Sequence, residues 1–101
     1  MTRWPPLPKT IQGLAGPIRV LRPVRLDDDD WGGWHPEERV IRVRSTLNRE
    51  VAWHTMLHEL THAMLDDSGL PMPDSLVEIF CDTNASAMLH SLRILLPTTD
   101  A

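Results

Sequence analysis

One run of five residues in the second half of the chain has a spacing that can do chemistry: His58-Glu59-Leu60-Thr61-His62. On an α-helix, residues four apart differ by about 40° around the axis and about 6 Å along it. Two imidazoles so spaced converge on one side of the helix and can share a tetrahedral metal ion, Zn2+ above all. Glu59 follows His58 directly, so it projects beside the metal rather than onto it. From there it can act on a water as general base without becoming a ligand. The flanks, Thr55-Met56-Leu57 and Ala63-Met64-Leu65, carry no charge and no proline, which suits a motif held inside a helix.

A catalytic zinc takes three protein ligands and keeps one position open. The downstream candidates are Asp66, Asp67, Asp74, Glu78, Asp82, His90 and Asp100. Asp66 lies about 12 Å in axial rise from His58 on the same helix, too far to share an ion, and Asp67 fails for a similar reason. Asp74 suits the cap of the following helix, and Asp100 belongs to the terminal tail. Glu78 fits best. If one helix ends near Ser68 and the next starts near Asp74, His62 and Glu78 stand at similar heights in an antiparallel helical hairpin. One turn further, Asp82 comes level with His58 and can accept its distal ring N–H as a supporting group. Both acids have a plainer reading beside this one. Ser75-Leu76-Val77-Glu78 has the form of a capping box, in which Glu78 only bonds the helix start. Asp82 can simply belong to a solvated face.

His54 extends the histidine row one turn back. A His54/His58 metal pair has no glutamate after its first member and hence no base, so His54 reads as a structural or supporting group. Because the chain has no tyrosine, His35, His54 and His90 are the candidates for stabilising a tetrahedral oxyanion. Other features take plainer readings. Trp4, Trp31, Trp34 and Trp53 suit packing, Asp27 to Asp30 suits a solvated hairpin tip, and Cys81 suits a small buried hydrophobe.

The elements that must position these groups can be read from periodicity. Residues 1–9 form a proline-rich N-terminal tail, and residues 10–97 a single domain. Thr10 to Arg44 reads as short strands, with Ile18 to Leu21, Trp31 to His35 and Arg39 to Arg44 as candidates. In the last, Ile41 and Val43 alternate with Arg42 and Arg44, the mark of a sheet with one wet face. The period then becomes helical. Asn48 is the predicted N-cap, Gly69 the predicted C-cap, and Trp53, Leu57, Leu60 and Met64 the expected apolar face. A second helix is predicted from Asp74 or Ser75, carrying Val77, Phe80, Cys81, Met88, Leu92 and Leu95 inward, with Pro97 after its end. The expected fold class is α+β: a small antiparallel β-sheet, an active-site helix and a second antiparallel helix.

Composition narrows the function. The chain has 101 residues and a formal net charge of −4, which argues against nucleic acid as the main partner. A single cysteine excludes a disulfide framework within one chain. No apolar run approaches a membrane span, and the start has no apolar signal-like core. A cytoplasmic location is the expectation.

At these residues the sequence resembles a zincin metallopeptidase of the gluzincin kind, with H-E-x-x-H on one helix and a glutamate on the next. The stretch from Leu57 to Leu70, with the Ile/Val- and Arg-bearing Val40 to Arg44 before it and the helix from Asp74 to Leu95 after it, is similar to small phage and prophage proteins of the ImmA/IrrE type. The resemblance implies a minimal zincin-like fold and a zinc endopeptidase. His58, His62 and Glu78 would be the ligands and Glu59 the base. It also implies an extended peptide or protein substrate, such as a phage or host regulatory protein, met in the host cytoplasm. Asp82-Thr83-Asn84 echoes the E-A-N segment of larger members, which keeps Asp82 in view as the third ligand. Unlike those larger members, this chain is expected to work without a helix-turn-helix or sensor domain. The expected substrate strand is Arg39 to Arg44. The alternative function is a non-catalytic accessory or protein-interaction module stabilised by zinc.

Overall fold

A computed structural model gives the fold and describes residues 3–96; Pro97 and Asp100 lie outside the described residues. Four strands and two long helices follow one another: β1 (Thr10–Gly13), β2 (Gly16–Leu21), β3 (Gly32–His35), β4 (Val40–Val43), α1 (Arg49–Ser68) and α2 (Asp74–Leu95). The class is α+β. The strands form one sheet in the order β1-β2-β4-β3.

The sheet is mixed rather than wholly antiparallel. β1 and β2 form an antiparallel hairpin, as do β3 and β4, but β2 and β4 run parallel, with Val20 opposite Ile41. The second hairpin docks through β4, which places that strand in the interior of the sheet. Its residues Val40, Ile41 and Val43 are fully buried, as suits a strand with partners on both sides.

α1 lies across the sheet and touches β1, β3 and β4. The start follows from Asn48, whose side chain accepts the Val51 N–H at 2.9 Å. The stop follows from Gly69, which adopts the left-handed φ of 67° and donates its N–H to Leu65 and Asp66 carbonyls. Ile18, Val20, Ile41 and Val43 meet Ala52, Met56, Leu57 and Ala63 in the core. Each large aliphatic chain so buried contributes roughly 1.5–3 kcal/mol. Two buried threonines on α1 satisfy their hydroxyls locally, Thr55 donating to Val51 O and Thr61 to Leu57 O, both at 2.8 Å.

The apolar faces differ in detail from the sequence pattern. On α1, Met64 is exposed, and the small Ala52 and Ala63 are buried in the close approach to the sheet. On α2, Phe80 and Leu95 are exposed, and Cys81, Ala85 and Leu89 are buried. Of the described elements, α2 touches only α1. Asp74 is the first residue of α2 but caps nothing: Pro73 holds the N-cap position with no side-chain cap bond.

The proline-rich N-terminal stretch is anchored. Trp4 is buried with its ring 6.0 Å from that of Trp53. Trp53 Nε1 donates to Pro5 O at 2.7 Å, and Arg49 donates to Trp4 O at 3.2 Å. Among the described residues no helix is long and apolar enough to cross a membrane.

Candidate metal centre

His58 and His62 stand one turn apart on α1, with ring centroids 5.1 Å apart. α2 runs back along α1 after the loop from Gly69 to Pro73, and this brings Glu78 to both rings. Glu78 Oε1 is 2.7 Å from His62 Nε2, and Glu78 Oε2 is 3.1 Å from His58 Nε2. One donor atom from each of the three residues lies within 4.8 Å of the others. Glu78 therefore does not close a capping box; its carboxylate is spent on α1. The two imidazoles are mostly covered, at 17% and 23% exposure, while the Glu78 side chain is 70% exposed. The cluster opens to solvent on the Glu78 side.

The donor set fits a zinc ion. Two imidazole nitrogens and a carboxylate oxygen are a known catalytic set, and bonds of about 2.0–2.2 Å put tetrahedral ligand atoms about 3.4 Å apart. The three donors come from two long helices whose relative height is fixed by packing. Asn84 adds to that registry, donating from α2 to Thr61 Oγ1 on α1 at 3.1 Å.

Asp82 lies on the other side of the His58 ring, 3.5 Å from Nδ1 and also 3.8 Å from His54 Nε2. His54 meets Ser86 Oγ at 3.1 Å. A polar row thus follows the α1–α2 seam from Glu78 through His58 and Asp82 to His54 and Ser86. The remaining acids near the motif have other partners. Asp66 accepts from Trp34 Nε1 at 2.7 Å, and Asp67 takes a two-pronged pair with Arg39 at 2.8 and 2.9 Å. His90 joins no metal-holding group among the described residues. His35 ends β3 outside the His58, His62 and Glu78 group, with Nε2 buried and no hydrogen-bond partner among the described residues.

Glu59 points to the sheet side of α1 and is half-buried. Burial pushes its carboxyl above the ordinary value; His62 and His58 pull it down, and Glu78 and Asp30 push it further up. Burial likewise pushes the Cys81 thiol up to about 11, with Glu78 and Glu59 adding to the rise. Cys81 is fully buried and stands outside the His58, His62 and Glu78 group.

A cleft of about 260 Å³ adjoins this group at His58, walled by residues 30–32, by His54, Thr55 and Glu59 of α1, and by Asp82 of α2. Its floor depends on Gly32. A Cβ there would lie 2.5 Å from Thr55 Cγ2 and 3.5 Å from Glu59 Cγ, so only glycine lets β3 pass this close to the helix. Gly32, Asp30 and Ser86 were not among the residues singled out by motif. A glycine pair inside the strand Trp31 to His35 was the available signal, because glycine there marks close backbone approach. The strand expected to receive a substrate, Arg39 to Arg44, is unavailable: β4 has β2 on one side and β3 on the other. The edge beside the cleft is β3. No known protein family, curated protein or solved structure matches the chain.

Proposed function

We propose that this protein is a zinc-dependent metalloendopeptidase, with His58, His62 and Glu78 as zinc ligands and Glu59 as general base. The observation that carries the reading is the meeting of Glu78 with both histidines of the helix that also bears Glu59. Zinc bound there supplies Lewis acidity, polarising a carbonyl and acidifying water.

The chain supplies the rest. Glu59 takes a proton from the attacking water on a carboxylate oxygen and passes it to the departing amine. A carboxyl raised by burial suits both halves of that task better than an ordinary one. Asp82 orients His58 through the ring's distal nitrogen. Of the three candidate histidines, His54 is the one that lines the cleft, which supports it as the donor to a developing oxyanion. The substrate lies extended along β3, whose outer backbone groups can pair with a further strand. The test is cleavage of a peptide mixture by zinc-loaded protein, with Glu59→Gln as the metal-retaining control.

A second reading has one observation in its favour. α2 packs on α1 alone, through the small Cys81 and Ala85 and the larger Leu89. A metal on His58, His62 and Glu78 would pin that helix, and a non-catalytic, zinc-stapled interaction module needs no more. Unchanged biological output from Glu59→Gln would favour it.

A further inference from the structure

We propose that the cleft between residues 30–32 and α1 is a subsite for a lysine or arginine side chain of the substrate, with Asp30 as its charge partner and Trp31 as its wall. The inference rests on the peptidase reading and specifies which peptides that site takes.

Three observations converge on it. The first is the lining: the cleft carries Asp30, Glu59 and Asp82 and no lysine or arginine. Of the nearby arginines, Arg44 pairs with Asp29 at 2.9 Å and reaches the Asp30 carbonyl at 3.5 Å, Arg42 lies 3.4 Å from Glu38, and Arg25 lines the adjoining pocket on the far side of Asp30 rather than this cleft. A dication held beside the cleft does not reverse the sign, because Glu78, Glu59, Asp82 and Asp30 together outweigh it.

The second is the state of Asp30. Its backbone is used, the N–H donating to Asp27 O at 3.3 Å. Its carboxylate makes no hydrogen bond or ion pair with another described residue. The residue is exposed on the cleft wall, so its carboxylate is free to pair with a cation entering there.

The third is Trp31. Its indole is 55% exposed at the cleft although the backbone is fixed by the Arg44 N–H donating to Trp31 O at 2.8 Å. A long cationic side chain can lay its methylene stem on such a ring and carry its charge to the carboxylate. The wider field agrees. From Arg49 to Leu96 the chain has seven acidic residues against two cations, Arg49 and Arg93, so a basic segment is drawn toward the helical side.

The test uses zinc-loaded protein and short fluorescein-labelled peptides identical except for arginine, norleucine or glutamate at one central position. Binding is read by fluorescence anisotropy. The arginine peptide should bind about tenfold tighter than the norleucine peptide, and the glutamate peptide more weakly than either. Asp30→Asn should cut the arginine preference by about threefold or more, with norleucine binding and zinc content unchanged, whereas Trp31→Ala should weaken the arginine and norleucine peptides together, the arginine peptide by more, with zinc content unchanged. Equal binding of arginine and norleucine peptides would overturn the proposal, as would an arginine preference that survives Asp30→Asn. A second zinc per chain, lost in Asp30→Asn, would also overturn it by giving the carboxylate a metal instead. Cleavage of the same peptides separates the two claims. Cleavage without basic preference removes the subsite and leaves the peptidase; basic preference in binding without any cleavage does the reverse.

Discussion

Glu78 Oε1 lies 2.7 Å from His62 Nε2, although the two residues sit on separate helices joined by a tight loop. The contact exists because α2 descends along α1 in a register that sets Glu78 against His62 and Asp82 against His58. It joins the two helices at the point where a metal would be held.

Removing that carboxylate should therefore cost the metal before it costs the fold. Glu78→Ala is expected to weaken zinc binding by more than about 100-fold, while Asp82→Ala, acting through the His58 ring, weakens it by about 10–100-fold. Competition against a chromogenic chelator measures both. The opposite order would make Asp82 the third ligand.

Metal removal should be visible in stability, because an ion held by His58, His62 and Glu78 would bind only the folded arrangement. With free zinc about 1,000-fold above its dissociation constant, binding adds about 4 kcal/mol. For a domain of this size each kcal/mol moves the melting temperature by roughly 4–8 °C. Calorimetry with zinc and with a chelator should differ accordingly, and Glu78→Ala should erase most of the difference.

Gly32 is the point where β3 presses on α1. Gly32→Ala forces a methyl group against Thr55 Cγ2, an overpacking expected to cost about 1–3 kcal/mol. Thr55→Ser removes the colliding methyl and should return part of that loss in the double variant. Urea denaturation of the single and double variants checks the coupling.

The far end of α1 has its own pH signature. Arg39 holds the Asp67 carboxyl at about 2, down from 3.8, with the Ala15 N–H assisting. A carboxyl depressed on folding stabilises the native state above its ordinary value, and that contribution disappears as pH falls from about 4 through about 2. Asp67→Asn should flatten this part of the acid limb of a melting-temperature profile and leave the neutral region parallel to the native curve.

Much of this architecture could be read in the chain, and the failures have physical causes. Asn48 and Gly69 bounded α1 because a side-chain cap and a left-handed residue are local devices, set by residue type. The heights of Glu78 and Asp82 followed from helical arithmetic once both helix ends were fixed. The buried faces were harder. Periodicity favours large residues, so Met64, Phe80 and Leu95 looked interior, whereas the contacts between elements run over Ala52, Ala63 and Ala85. The parallel pairing of β2 with β4 was not legible either, since alternation identifies a strand but not its neighbour. That hid the edge position of β3, and with it the cleft beside Glu59.

The most direct test is proteomic cleavage profiling of zinc-loaded protein against Glu59→Gln of equal zinc content. The account predicts about one zinc per chain in both and new peptide termini from the native protein. Cleavage by the variant should be at least about 100-fold slower, as loss of a general base requires. Equal cleavage by the two proteins, or none by the native one with zinc bound, would contradict it.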